Sequence, residues 1–129
     1  MTTKHIAWIA LAVAVALGVG WVWGASGRSA REQARRAEEQ RADLAEARAL
    51  ILDGRVLLFQ ANFGDASRRF EAAHALVERV QLRLRESAQA ERAGRLEIVL
   101  AHLREAQSLA AAFSPEAHAA AQEAFTAIK

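Results

Sequence analysis

The feature that most constrains the fold is an uninterrupted apolar run, IAWIALAVAVALGVGWVW, from Ile6 to Trp23. The run contains no charged residue and no hydroxyl group. As a helix that rises about 1.5 Å per residue, it would be about 27 Å long, close to the ~30 Å hydrocarbon core of a bilayer. The sequence therefore predicts a transmembrane helix near the N-terminus.

Tryptophans mark the two ends of this run, because Trp8 lies near its start and Trp21 and Trp23 lie at its close. Indole rings prefer the headgroup level of a bilayer, so these residues are predicted to be interfacial anchors. Small residues at every fourth position predict a face that packs against another membrane helix. These residues are Ala12, Ala16, Gly20 and Gly24.

The apolar run is longer than the ~7–15-residue core of a cleaved signal peptide, which favours a permanent anchor in a bacterial-type inner membrane. Five arginines follow the run within residues 28–41, whereas Lys4 and the amino terminus precede it. This asymmetry favours a cytoplasmic C-terminal part. An anchor led by Lys4 would give the opposite topology, so a periplasmic location stays open.

The composition predicts an all-α protein. Hydrophobic residues make up 53% of the chain and are mostly alanine and leucine, with one proline and no tyrosine. Such a mixture favours helix over sheet. With no cysteine, the chain has no disulfide, no thiolate metal site and no cysteine nucleophile. The 17 basic and 15 acidic residues alternate instead of forming a basic patch, which argues against nucleic acid as a partner.

Three parts follow from these patterns: a transmembrane anchor over 1–27, a juxtamembrane helix over 28–43 and a small antiparallel helical bundle over 44–129. Gly64 is predicted to allow a left-handed turn, and Asp65 to cap the helix after it. Ser114-Pro115-Glu116 predicts the start of the last helix. Apolar residues spaced by three or four predict the buried face of the second helix. They are Phe70, Ala73, Leu76, Val77, Val80 and Leu84.

The bundle contains an internal repeat. GRVLLFQANFGDASRRF begins at Gly54, and GRLEIVLAHLREAQSLA begins at Gly94. The copies share the Gly-Arg start and alanines at equivalent positions, such as Ala66 and Ala106. One helical hairpin cannot bury its apolar face alone, so the repeat predicts two hairpins packed on each other.

The first copy resembles the tetratricopeptide repeat, with its pattern of small and large residues across a helix–turn–helix. The residues that carry the resemblance are Gly54, Leu57, Phe63, Ala66, Phe70 and Ala73. The second copy keeps Gly94, Leu103 and Ala106, but has Ala110 in place of the phenylalanine. The family's closing proline is missing, and the period is 40 residues instead of 34.

The resemblance implies tetratricopeptide-like hairpins in which small residues let the helices approach and aromatic rings fill the space between them. The implied packing residues are Gly54, Phe63, Ala66, Phe70, Ala73, Gly94, Leu103 and Ala106. The family also uses a concave groove for partners, which makes Arg55 and Arg95 candidate partner contacts.

The chain shows no pattern typical of a catalytic, cofactor or metal site. Glu71-x-x-His74 has the spacing of one half of a di-iron site, but a full site needs a second copy and two further glutamates. No glycine-rich phosphate loop follows a strand. His5, at the edge of the apolar run, is interpreted as interfacial and not as a pigment ligand. We expect no catalytic residue, no cofactor and no small-molecule substrate.

These observations predict a non-enzymatic, single-span accessory or scaffold subunit that docks into a larger membrane complex. A photosynthetic or respiratory assembly is the favoured setting, with other membrane subunits and the lipid bilayer as partners. The alternative is a membrane-tethered adaptor that recruits soluble proteins or assists envelope assembly, through Arg55 and Arg95.

Overall fold

The structure is a computed structural model that describes residues 3–129, without the side chains of residues 3–7, 9–11, 23, 25 and 26. These residues form four helices and no strand. The prediction of an all-α protein is therefore confirmed. The helices are α1 (Thr3–Phe59), α2 (Phe63–Glu86), α3 (Ala90–Ala111) and α4 (Ala117–Ala127).

The predicted N-terminal transmembrane helix is contradicted. Within the described part of the chain, no helix combines the length and the apolar character needed to cross a bilayer. The apolar residues 12–22, whose side chains are described, lie within α1. This stretch continues into the charged remainder of the 57-residue α1. The predicted location in an inner membrane rested on that helix and stays a prediction.

The chain divides into two compact units, Met1–Glu38 and Glu39–Lys129. The first unit is the N-terminal part of α1, where Arg36 and Glu32 form an exposed ion pair one helical turn apart at 2.5 Å. The second unit contains the rest of α1 together with α2, α3 and α4. The buried core lies in this second unit.

The C-terminal part of α1 runs antiparallel to α2. Two ion pairs fix this arrangement: Asp43 with Arg83 at 2.8 Å, and Asp53 with Arg69 at 2.9 Å. Over the same part of the chain, α1 turns an apolar face toward the core, because its buried residues recur every three or four positions. These are Ala47, Ile51, Gly54 and Leu58.

Polar contacts likewise set α3 antiparallel to α2. The Ser67 hydroxyl donates to the carbonyl of Gln107 at 3.3 Å, near the start of α2 and the end of α3. At the other end, the buried Gln81 amide donates to the carbonyl of Ala93 at 3.2 Å. The predicted apolar face of α2, from Phe70 to Leu84, is buried along its whole length.

The short helix α4 contacts α1 as well as α3. The guanidinium carbons of Arg48 and Arg55 lie 5.3 and 5.5 Å from the centre of the Phe125 ring. At the opposite end of α4, the rings of Phe59 and His118 are 4.7 Å apart. The second unit is therefore a closed antiparallel four-helix arrangement, in which each helix contacts its two neighbours.

The turn between α1 and α2 differs from its prediction. Gly64 lies inside α2 without a positive φ, and the left-handed residue is Ala61 at φ 57°. The Asn62 N–H closes the end of α1 by donating to the carbonyl of Leu57 at 2.8 Å. Asn62, not Asp65, is the N-cap of α2, and its side chain accepts from the N–H of Asp65 at 3.3 Å.

Asp65 completes this cap from within the first turn of α2. Its carboxylate accepts a hydrogen bond from the Asn62 amide at 2.7 Å and also pairs with Arg68. The bond from Asn62, followed by the bond and charge of Arg68, lowers the pKa of the Asp65 carboxyl below its ordinary value of 3.8. Asn62 and Asp65 thus hydrogen-bond to each other, and the Asn62 side chain also accepts from a free backbone N–H at the start of α2.

The other two turns end their helices in the same way. Ala88 and Phe113 adopt left-handed backbones at φ 57° and 55°. The next N–H in each turn reaches back by five residues, from Gln89 to Leu84 and from Ser114 to Leu109, at 2.9 Å. Ser114 precedes α4 as predicted, and its hydroxyl accepts from the Glu116 N–H at 3.3 Å, although α4 begins at Ala117.

Candidate interaction surfaces

Six of the eight residues predicted to pack the hairpins are buried, and the other two are Phe63 and Gly94. Gly54 is buried against Phe70, and Phe63 is half-buried. Gly94 is exposed on α3, and a Cβ added there would meet no atom within 4 Å. The remaining members of the set are fully buried. They are Ala66, Phe70, Ala73, Leu103 and Ala106.

The two arginines predicted to contact partners have separate surroundings. Arg55 is half-buried over the Phe125 ring at the α1–α4 contact. Arg95 is exposed on α3 and pairs with Glu91 at 2.5 Å. The described contacts do not join the two arginines in one groove.

The predicted positions in the N-terminal part of α1 are exposed wherever their side chains are described. Trp8 is 73% and Trp21 79% exposed. Trp23 and His5 lie outside the described side chains. The four small residues are exposed as well, and added Cβ atoms at the two glycines would meet nothing within 4 Å. These four are Ala12, Ala16, Gly20 and Gly24.

Large apolar side chains are exposed throughout residues 12–22, which we call the N-terminal apolar stretch. Val13, Val15 and Val19 are 52–58% exposed, and Leu17 is 69% exposed. Because these positions are two residues apart in a helix, they point in different directions around its axis. The apolar surface therefore surrounds α1 here and is not confined to one face.

A second exposed apolar site lies at one end of the four-helix unit, where the two turns before α2 and α4 meet. Phe59 is 76% and Phe113 73% exposed. Phe59 touches the His118 ring, and Phe113 meets Phe63 edge-on with ring centres 6.1 Å apart. This site was not predicted from the sequence. Phe113 is a bulky residue in a left-handed position that favours glycine, and the sequence alone does not reveal that conformation.

His102 lies 4.0 Å from Glu105, but the described histidines belong to no larger cluster of carboxylates. Among the described residues, no group of three or more histidine, aspartate or glutamate side chains is placed to hold a metal ion. His74, predicted from its spacing to Glu71, lies 3.4 Å from a guanidinium nitrogen of Arg104. A cation at that position disfavours a metal ion beside the imidazole.

Compared with protein-family models, curated proteins and solved structures, the chain matches none. The resemblance to the tetratricopeptide repeat stays a prediction. The close approach of α1 and α2 at Gly54 agrees with it. The contact of α4 with α1 is instead typical of a closed four-helix bundle, so this contact does not depend on the resemblance.

Proposed function

We propose that this chain is a non-enzymatic docking subunit of a larger protein assembly. The observation that carries the proposal is the exposure of the N-terminal apolar stretch, where Leu17 is 69% exposed and Trp21 79%. A helix that is apolar around its whole circumference is buried in its working state. Large exposed apolar patches on proteins mark the places where partners bind.

The stretch also has room for a closely packed partner helix. Small residues recur on one side of it, at Ala12, Ala16 and Gly20, and the space beside Gly20 is open. Helix axes approach to about 8–10 Å, and the smaller side chains at the contact allow the shorter distances. Leu17 and Val19 would then cover further apolar surface of the partner, each worth about 1.5–3 kcal/mol when fully buried.

A photo-crosslinking amino acid tests the proposal in living cells. It is placed at Leu17 and, in a second variant, at Val19, with the exposed Glu97 on α3 as the matched control site. We expect both N-terminal sites to give an adduct with the same protein, and the Glu97 site to give none. Adducts with lipid alone, or no protein adduct beyond that of the control, would contradict a protein-docking role.

The alternative role, an adaptor that recruits soluble proteins through Arg55 and Arg95, stays a prediction. No described contact favours it, because Arg55 lies over Phe125 and Arg95 pairs with Glu91. The setting of the assembly, energy-converting or otherwise, is also a prediction and forms no part of the proposal.

A further inference from the structure

The α1 helix carries a second apolar surface, distinct from the one that faces the bundle. All of its side chains are exposed. The exposed fraction is 44% for Leu52, 53% for Val56 and 76% for Phe59. The core-facing residues Ala47 and Ile51 lie on another side of the helix. We call this surface the outer stripe. It consists of Ala42, Ala45, Ala49, Leu52, Val56 and Phe59.

The outer stripe has the residue spacing of a coiled coil. Its members are separated by three, four, three, four and three residues, which is the spacing of positions a and d in a heptad repeat. Ala49 and Val56 then occupy a positions, and Leu52 a d position. In parallel coiled coils, a β-branched residue at a with leucine at d favours two strands over three or four.

The charges beside the stripe are complementary between two parallel copies. The residue before each a position is an arginine, and the residue after each d position is Glu46, Asp53 or Gln60. In a parallel pair, each arginine faces the residue five positions later in the other copy. An antiparallel pair would place arginine against arginine and acid against acid. The three arginines are Arg41, Arg48 and Arg55.

Arg48, Arg55 and Asp53 keep hydrogen-bonding capacity for these contacts. In the described part of the chain, Arg48 and Arg55 have no carboxylate partner, and each lies over the Phe125 ring. A guanidinium that stacks on a ring keeps its N–H edge free to donate. Asp53 pairs with Arg69 but is half-exposed, and a carboxylate accepts more than one donor.

We infer that two copies of this chain associate in parallel through their outer stripes. The contact spans residues 42–59, about 27 Å of helix, and its short length predicts a reversible dimer. The stripe does not overlap the N-terminal apolar stretch. The dimer and the docking role can therefore fail separately, since the dimer is measured on the purified chain and docking in cells.

Cysteine crosslinking tests the orientation directly, because the chain contains no cysteine of its own. In a parallel pair, Ala42 faces Ala42 of the second copy, whereas an antiparallel overlap of the stripe sets Ala42 against Phe59. Ala42→Cys therefore forms a disulfide-linked dimer under mild oxidation only if the pair is parallel. Ala101→Cys, at an exposed alanine of α3, is the matched control and stays monomeric. Equal crosslinking of the two variants, or of neither, overturns the inference.

Sedimentation equilibrium tests the stripe itself. Leu52→Glu places a charge on the stripe, and we expect the dissociation constant of the dimer to rise by about tenfold or more. Leu82→Glu makes the same change at a 52% exposed leucine of α2 and leaves the constant unchanged. A purified chain that stays monomeric, or equal weakening by both variants, refutes the proposed contact.

A charge exchange separates the parallel pairing from simple apolar attraction. Glu46→Arg sets two arginines against each other across the pair and weakens the dimer. Adding Arg41→Glu to that variant restores the opposite charges and returns the dissociation constant toward the native value. Failure of the double variant to recover dimerisation excludes this parallel register.

Discussion

Gly54 on α1 and Phe70 on α2 approach so closely that no larger residue fits at the first position. A Cβ added to Gly54 would lie 2.6 Å from Cε1 and 2.9 Å from Cζ of the Phe70 ring. The ring is fully buried, so it can shift only by displacing its packed neighbours. This contact sets the distance between α1 and α2.

Gly54→Ala is expected to destabilise the protein. The added methyl group forces the Phe70 ring or the helix backbone to shift, which costs about 1–3 kcal/mol of unfolding free energy. Gly94→Ala is the matched control, because the space beside Gly94 is open. There the better helix propensity of alanine adds up to about 1 kcal/mol. Urea denaturation measures both variants, and an equal effect of the two would refute the close contact.

Glycine is expected to stabilise the turns at Ala61 and Ala88. Both alanines have φ of 57°, where a Cβ costs energy that glycine avoids. Ala61→Gly and Ala88→Gly should each raise the unfolding free energy by about 0.5–1 kcal/mol. The control, Ala72→Gly within α2, should lower it by about 1 kcal/mol. Thermal unfolding distinguishes the two signs, and a loss of stability at the turns would contradict these backbone angles.

The helix start at Asp65 predicts a loss of stability in acid. Because hydrogen bonds from Asn62 and Arg68 lower the pKa of folded Asp65, the contribution of this residue is complete above the pKa of the unfolded chain, near 3.8. It disappears as the pH falls through the lower folded pKa. Native protein should therefore exceed Asp65→Asn in stability at neutral pH, and the difference should vanish in strong acid.

NMR titration measures the pKa of the Asp65 carboxyl itself and so tests the same prediction directly. The pKa should lie below 3.8 in the native protein and rise toward that value in Asn62→Ala, which removes the largest cause of the shift. A native pKa at or above 3.8 would exclude the reciprocal cap.

The α1–α4 contact predicts an energetic coupling between Arg48 and Phe125. The Cζ atom of Arg48 lies 5.3 Å from the centre of the Phe125 ring. A double-mutant cycle with Arg48→Met and Phe125→Leu should give about 0.5–1 kcal/mol of coupling energy. Arg79→Met is the control, since Arg79 on α2 has no described contact with Phe125. Coupling equal to that of the control would show that α4 does not close the bundle through this ring.

The sequence was sufficient to predict the helical class and the core of the hairpin. The apolar spacing in α2 depends only on the helical period, so Phe70 and Val77 were placed correctly in the core. Ser114 was predicted as the capping residue of the last helix, but the N-cap of α4 is Glu116, and the Ser114 hydroxyl accepts from the Glu116 N–H one step earlier. Gly54 was predicted to permit close packing from a repeat pattern, and the structure gives its partner as Phe70.

Features that depend on several helices at once were missed. The left-handed turn was predicted at Gly64 and the N-cap at Asp65. The N-cap is Asn62 instead, so Gly64 lies inside α2 and the left-handed residue is Ala61. The contact of Phe125 with Arg48 requires α4 to pack against α1, and no local sequence pattern predicts that packing. The outer stripe was hidden because α1 is rich in alanine throughout, and only burial separates its two apolar surfaces.

The most direct test of the docking role is the mass of the assembly that contains the native chain. The chain is isolated gently from its cells, and native mass spectrometry measures its complex. We expect a complex heavier than two copies of the 14.0 kDa chain, which Leu17→Glu dissociates and Leu82→Glu leaves intact. A mass of only one or two copies, or equal effects of the two variants, would contradict the central claim.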